Sequence, residues 1–86
     1  MDFIFSRHAH EQMMRRGISQ ETLMSVLSFP DQTIADIETP TKIIYQSLIK
    51  ENNQVFLFRV FVDTDKRPNV IITVYKTTKI SKYYES

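Results

Sequence analysis

Three strand-like runs that follow one another over very short connections constrain the fold of this chain most strongly. Residues 42–50, 55–63 and 69–77 are rich in β-branched and aromatic side chains, which favour extended strands. Residues 51–54 (ENNQ) separate the first two runs, and residues 64–68 (TDKRP) separate the last two. Connections this short join antiparallel neighbours. The sequence therefore predicts an antiparallel meander over the second half of the chain.

Another strand and a helix are predicted ahead of this meander. Residues 32–38 form a further β-rich run, which Thr39-Pro40 ends. The first helix follows Ser6 and ends at Gly17, because serine is a good N-cap and glycine readily adopts the left-handed conformation that ends helices.

A second helix is expected from Ser19 to about Ser28, before Phe29-Pro30. Helices this short do not persist alone, so both must dock on the sheet. We therefore expect an α+β fold in which two N-terminal helices pack on one face of a four-stranded antiparallel meander. An alternative adds residues 3–5 as a short edge strand.

The composition excludes several classes of protein. The 86 residues contain no apolar run of about 18 or more, which a membrane-spanning helix needs. The opening MDFIFSRHAHE becomes charged too early for a secretory signal. The absence of cysteine removes disulfides and thiol catalysis, and a single glycine argues against a glycine-rich phosphate loop. We expect one globular domain, residues 1–86, located in the cytoplasm.

Charge is divided unevenly along the chain, although the net charge is only +1. Residues 1–65 contain six Lys or Arg and nine Asp or Glu, whereas residues 66–86 contain five Lys or Arg and one Glu. Tyrosines are interleaved with lysines in the basic end, and the candidate contacts among them are Tyr75, Lys76, Lys79, Lys82, Tyr83 and Tyr84. Cations for phosphates and rings for bases are typical of a nucleic-acid contact. The alternative is a solvated, partly frayed tail with solubilising lysines.

Strand alternation predicts which side of the sheet the helices cover. Phe56, Phe58, Val60 and Val62 share one side of their strand and are all apolar, so this side should face the helices. The opposite side should be open, and it carries Arg59 among apolar neighbours.

Arg59 should belong to a polar row across that open face. Centring the first turn on Asn52-Asn53 pairs Gln46 with Arg59, and the expected second turn pairs Arg59 with Thr73 and leaves Tyr75 one step along. Arg59 then has two interpretations. It is a phosphate-binding guanidinium held on a rigid sheet, or a structural arginine whose head lies in water or pairs with a carboxylate.

His8 and His10 are candidate metal ligands, but two positions apart on a helix their side chains diverge. No third ligand stands at helical spacing, so no metal site is predicted. His8 shares a helix surface with Gln12 and with Arg15 or Arg16. An unperturbed imidazole has a pKa of about 6.5, which suits proton transfer at neutral pH. The alternative is a helix-start histidine that bonds the backbone or packs under the sheet edge.

The opening FSRHAHEQMMRRGIS, a second short helix ending in Phe-Pro and the terminal TVYKTTKISKYY resemble a bacterial family of small uncharacterised domains. His8-Ala9, Arg16-Gly17-Ile18-Ser19 and Thr73-Val74-Tyr75 carry the resemblance, which spans nearly the whole chain. The layout is similar to that of BrnT toxins and, more loosely, of RelE toxins. These are metal-independent ribonucleases with helices on one side of an antiparallel sheet.

RelE-like sites use Arg or Lys on the exposed sheet and an aromatic residue near the C-terminus. The resemblance therefore implies such roles for Arg59, Lys76, Lys79 and Tyr83 or Tyr84. It also implies a small antitoxin, encoded by the neighbouring gene, as a protein partner.

These features predict a toxin that cleaves RNA without a metal or another cofactor. The RNA supplies its own nucleophile, the 2′-hydroxyl, so the protein needs a proton-transfer group, His8, and cations, Arg16 and Arg59, for the phosphorane oxygens. Base stacking is assigned to Tyr75, Tyr83 or Tyr84, and backbone binding to Lys76, Lys79 and Lys82. One alternative is a non-catalytic RNA- or protein-binding module on the same scaffold. Another is a homodimer formed through the open sheet face.

Overall fold

The computed structural model describes residues 3–85, which form five strands and three helices. In chain order these are β1 (Phe3–Phe5), α1 (Arg7–Arg16), α2 (Gln20–Ser28), β2 (Gln32–Ala35), β3 (Lys42–Glu51), β4 (Gln54–Asp63), β5 (Asn69–Thr77) and α3 (Ile80–Tyr83). The strands form one sheet in the order β1-β5-β4-β3-β2. Within this described part of the chain, no helix is long and apolar enough to cross a membrane.

The predicted four-stranded antiparallel meander with two helices is wrong. The sheet has five strands and is mixed, because β1 runs parallel to β5 along residues 69–71, while the other neighbours are antiparallel. A third helix, α3, follows β5. Both additions are only three or four residues long, so their sequences carry little periodic signal.

Two serines and one glycine set the bounds of α1 and α2 where the sequence predicts them. The Ser6 hydroxyl accepts a hydrogen bond from the backbone N–H of Ala9 (3.0 Å), and the Ser19 hydroxyl accepts one from Thr22 (3.1 Å). Gly17 ends α1 in the left-handed conformation (φ 65°, ψ 37°). Each serine cap stabilises its helix by roughly 1 kcal/mol.

The main core lies between these two helices and the sheet face that was predicted to meet them. Phe58, Val60 and Val62 of β4 are buried there against Leu23 and Val26 of α2. The other buried members of this cluster are Ala9, Met13, Ile18, Leu27, Ile71 and Val74. Full burial of one such side chain contributes about 1.5–3 kcal/mol, so this face supplies most of the stability of the domain.

The register of β3 on β4 confirms the predicted pairing of Gln46 with Arg59. Asn52 and Asn53 form the turn with positive φ angles of 50° and 67°. Asparagine tolerates that conformation, and a two-residue turn of this kind fixes the register of both strands.

The predicted register of β5 on β4 is wrong, because Arg59 lies opposite Tyr75 and not opposite Thr73. Phe61 pairs with Thr73, but the next residue of β4, Val62, pairs with Ile71. Ile72 is therefore an extra residue in β5, and such a bulge shifts the pairing of every residue beyond it by one position. The other position of the two-residue difference arises at the turn, because Val62 pairs with Ile71 and not with Val70 as the predicted register implies.

Candidate functional site

Four polar side chains form a row across the sheet face opposite to α1 and α2. Gln32, Gln46, Arg59 and Tyr75 are register partners on β2, β3, β4 and β5. Gln46 Nε2 donates to Gln32 Oε1 (2.7 Å), Arg59 Nε donates to Gln46 Oε1 (2.9 Å), and Arg59 Nη1 donates to the Tyr75 hydroxyl (2.7 Å). Each side chain therefore orients the next, and the row is one continuous hydrogen-bond network.

Arg59 is a buried cation without an acidic partner in the described residues. It is only 7% exposed, and no ion pair among residues 3–85 includes it. Its Cζ atom lies 4.3 Å from the ring centre of Tyr83, 5.3 Å from that of Phe61 and 5.8 Å from that of Tyr75. Ring faces and neutral acceptors offset only part of the cost of burying a charge, so this guanidinium favours an anion.

A C-terminal strap, residues 79–85, lies over this row. Gln46 Nε2 donates to the Tyr83 carbonyl oxygen (3.2 Å). Gln32 binds both main-chain groups of Glu85: its Nε2 donates to the Glu85 carbonyl, and its Oε1 accepts from the Glu85 N–H (3.1 Å). The face predicted to be open, and to serve a homodimer, is therefore partly covered by the chain itself.

The Tyr83 phenol lies at the centre of several positive or donating groups. Lys82, whose Nζ is 5.2 Å from the ring centre, holds the pKa of Tyr83 below its ordinary value of 10.0, with smaller contributions from the Tyr75 hydroxyl and the Arg59 charge. Desolvation opposes this shift. The surroundings therefore favour an oxygen that carries negative charge at this position.

Helix α1 brings a second guanidinium to the same site. Gln12 Oε1 accepts a hydrogen bond from the backbone N–H of Val74 (2.8 Å), beyond the point where β1 stops pairing with β5. This contact fixes the helix beside the strand edge, and one turn later the Arg16 Cζ lies 6.0 Å from the Tyr75 ring centre. Arg16 and Arg59 therefore flank one tyrosine.

An open cleft of about 460 Å³ adjoins the row. Its lining includes Arg59, the apolar side chains of Ile34, Ile44 and Phe61, and the acidic residues Asp36 and Glu38, which follow β2. Arg59 thus belongs both to the polar row and to the wall of this cleft.

The structure brings together Arg16, Arg59, Tyr75, Lys82 and Tyr83 from the predicted set. Two other members lie elsewhere. Lys76 lies on the helix-covered side, where its Nζ is 2.8 Å from Glu51 Oε1 and 4.9 Å from the Phe56 ring centre. His8 is exposed in the first turn of α1, about 12 Å along the helix axis from Arg16 at 1.5 Å per residue.

The remaining predicted residues lie at the edge of the strap. Lys79 precedes α3 and is exposed, and Tyr84 follows α3 and is half-buried. Residues 3–85 contain no group of three or more His, Asp or Glu side chains that could hold a metal ion.

Sequence reasoning missed the role of Gln32 and the path of the strap. Gln32 begins a strand that the sequence does predict, but its pairing with Gln46 depends on how β2 is aligned with β3. Thr39-Pro40 does not define a turn type that would fix this alignment. The sequence feature that could have indicated the strap is the run Ile80-Ser-Lys-Tyr-Tyr, because it contains more apolar and aromatic side chains than a freely solvated tail needs.

Comparison with known proteins identifies a family but not an activity. Residues 5–76 match the family described as a domain of unknown function, DUF4258. No curated protein and no solved structure matches the chain. Because the match includes both long helices, strands β2, β3 and β4, nearly all of β5 and the four residues of the polar row, the chain belongs to the DUF4258 family.

Proposed function

We propose that this domain binds single-stranded RNA at Arg16, Arg59 and Tyr75 and acts as a metal-independent endoribonuclease. The observation that carries the proposal is the state of Arg59: it is held by neutral groups, has no carboxylate partner among residues 3–85, and lines an open cleft. A guanidinium in that state favours an anion, and its planar fork of donors fits a phosphodiester.

The tyrosine between the two arginines favours a nucleic acid over a simple anion. Single strands are recognised by stacking their unpaired bases on aromatic rings and on guanidinium planes. Lys79 and Lys82 are exposed beside the row and can contact neighbouring phosphates.

The same groups support cleavage by the RNA's own 2′-oxygen. In this mechanism the 2′-oxygen forms a bond to phosphorus and the bond from phosphorus to the 5′-oxygen breaks. The Tyr75 phenol gives its proton to the departing 5′-oxygen, and the 2′-hydroxyl proton passes to solvent water. Arg59 and Arg16 stabilise the negative charge that develops on the phosphorane oxygens.

Binding is tested with a fluorescently labelled 12-nucleotide RNA of mixed sequence in fluorescence anisotropy. We expect Arg59→Gln to weaken binding at least tenfold and Lys66→Gln to weaken it much less, because Lys66 lies in the exposed β4–β5 connection. The two variants lose the same charge, so equal losses would mean that binding is only a general electrostatic effect and would contradict the proposed site.

Cleavage is tested with the same RNA in the presence of EDTA. We expect products that end in a 2′,3′-cyclic phosphate, no cleavage when all 2′-hydroxyls are replaced by hydrogen, and a rate at least tenfold lower for Tyr75→Phe. Cleavage of the all-deoxy strand, or an unchanged rate for Tyr75→Phe, would contradict this mechanism.

A non-catalytic RNA-binding module is the second candidate, and one observation favours it. No proton acceptor other than solvent is assigned, because α1 separates His8 from Arg16 by about 12 Å. RNA binding that depends on Arg59, together with intact RNA after long incubation, would select this candidate.

We further propose a cytoplasmic toxin of the BrnT or RelE type, neutralised by a small antitoxin from the neighbouring gene. The support is the arrangement of α1 and α2 on one sheet face with an arginine site on the other. Induced expression should arrest growth, co-expression of the neighbouring gene should restore it, and Arg59→Gln should not arrest growth. Normal growth on induction of the wild-type chain would contradict the proposal.

A further inference from the structure

The C-terminal strap occupies the face to which RNA binding is assigned above. We propose that the strap closes this site in the resting chain, and that a phosphate-bearing ligand reaches Arg59 only after Tyr83 has moved away. This inference rests on the proposed function for the identity of the ligand, but the closure itself concerns only the strap and Arg59.

The strap contacts the very groups that would bind the ligand. The Tyr83 ring lies 4.3 Å from the Arg59 Cζ, where a nucleobase would stack on the guanidinium. The Tyr83 carbonyl takes a hydrogen bond from Gln46, which is 0% exposed, and Glu85 engages both polar atoms of the Gln32 amide. The closed strap thus fills hydrogen-bonding and stacking positions that a single strand would otherwise use.

The electrostatic surroundings of the Tyr83 hydroxyl agree with this geometry. Lys82, its neighbour on the strap, is the chief cause of the lowered pKa of Tyr83, and the Tyr75 hydroxyl and the Arg59 charge of the site beneath add to it. Tyr83 therefore resembles the ligand both by its ring and by its oxygen.

The strap is held much less firmly than the helices on the opposite face. Helix α3 has only four residues, buries none of them, and has no side-chain cap at its N-terminus. In contrast, α1 and α2 each bury three residues. Segments with few buried contacts open at a free-energy cost far below that of global unfolding.

The limits of the family match separate the strap from the shared domain. The match ends at Lys76, whereas the strap begins at Lys79. The row beneath, Gln32 to Tyr75, lies entirely within the matched region. The row and its cover are therefore distinct parts of the chain, and of the proposed binding groups only Lys79 and Lys82 belong to the cover.

The expected size of the effect follows from the fraction of molecules in which the site is open. The apparent affinity of a ligand falls in proportion to that fraction. If about one molecule in ten is open at rest, releasing the strap tightens binding about tenfold.

The test locks the strap with a cross-link. The chain has no cysteine, so Gln32→Cys and Glu85→Cys introduce a unique pair at a contact of the strap with β2. One half of the sample is bridged with a short bismaleimide, and the other half is blocked with N-ethylmaleimide. Both halves have the same sequence and differ only in the freedom of the strap.

Two probes are titrated into each half. Inorganic phosphate is followed by the NMR signal of the Arg59 Nε–H, which is identified by its loss in Arg59→Gln. The 12-nucleotide RNA is followed by anisotropy. We expect phosphate to shift the Arg59 signal, and RNA to bind at least tenfold more tightly, in the blocked form than in the bridged form. Tyr83→Ala in the otherwise native chain should enlarge the phosphate response relative to wild type.

The outcomes separate this inference from the proposed function. Equal responses of the bridged and blocked forms, or a weaker phosphate response of Tyr83→Ala, would overturn the closure. If Arg59→Gln still abolished RNA binding in that case, the proposed function would stand without it. A phosphate response confined to the blocked form, with no RNA binding by either form, would uphold the closure and overturn the proposed function.

Discussion

The two faces of the sheet are covered by elements of very different kinds. On one face, α1 and α2 bury an apolar cluster centred on Phe58, Val60 and Val62. On the other face, a short strap with no buried residue in its helix covers a row of amides, a phenol and a guanidinium that makes no ion pair within residues 3–85. The first arrangement stabilises the domain by apolar burial, whereas the second is the one to which we assign ligand binding in our proposal. Stability and function are therefore assigned to opposite sides of the same strands.

The largest expected effect is on the helix-covered face. Phe58→Ala should lower the free energy of unfolding by about 3–5 kcal/mol, because it removes a large, 1% exposed side chain from the centre of the core. Urea unfolding followed by circular dichroism measures this, and Val55→Ala, at the 39% exposed start of β4, is the control with an expected change below about 0.5 kcal/mol. A cost below about 1 kcal/mol for Phe58→Ala would remove the contrast between the faces.

A smaller effect is expected for the one polar side chain of α1 that is buried. Gln12→Ala should lower the free energy of unfolding by about 1–3 kcal/mol, since it leaves the Val74 N–H without an acceptor. Met14→Ala, at a 74% exposed position of the same helix, is the matched control. If both variants unfold at the same urea concentration, water replaces the glutamine at no cost and the helix is not fixed through this bond.

On the strap-covered face, Arg59→Met should change stability little and ligand binding strongly. The loss of two hydrogen bonds, at roughly 0.5–1.5 kcal/mol each, is offset by removal of a buried charge, so we expect the unfolding free energy to change by less than about 1 kcal/mol. RNA affinity should nevertheless fall at least tenfold. A loss of stability of about 3 kcal/mol would instead make Arg59 a structural residue.

The smallest effect is spectroscopic and concerns Tyr83. Because its pKa is lowered, chiefly by Lys82, Tyr83 should ionise below the ordinary value of 10.0 when phenolate absorbance is followed. Lys82→Gln should move this ionisation back toward 10.0, with Tyr83→Phe identifying the band and Tyr84→Phe leaving it in place. The folded state favours the ionised form. This contribution to stability is therefore absent at neutral pH, develops as the pH rises through the folded pKa, and is complete above the unfolded pKa. Ionisation of the Tyr83 band at or above 10.0 would contradict the placement of Lys82.

The parts of the fold that the sequence predicts are those set by local chemistry. Ser6, Gly17 and Ser19 bound the helices through their own caps, and Asn52-Asn53 sets the β3–β4 register through its own turn. Strand β1 confirms the alternative that placed a short edge strand at residues 3–5, whereas helix α3 was not predicted. Segments of three or four residues are stabilised by their neighbours and not by their own periodicity.

The sequence predicted several residues of the candidate site, but it did not predict how these residues are arranged. Arg59 stood out because a cation in the middle of an apolar strand requires an explanation. Its contact with Tyr75 depends on the bulge in β5, and no turn-forming residue in the sequence indicates that bulge. The separation of Lys76 from Tyr75 could have been predicted, because adjacent strand residues point to opposite faces.

The bulge at Ile72 decides which side of the sheet each residue at the end of β5 faces. If Ile72 took a place opposite Phe61 in a regular ladder, Val74 would lie opposite Arg59, and Tyr75 would turn into the helix-covered core. Deletion of Ile72 would instead remove the bulge and leave Tyr75 opposite Arg59, because Thr73 would then follow Ile71 directly in the ladder. Homologues that keep this site must therefore either accommodate the extra residue in such a bulge or lack it altogether, even where the residue types drift.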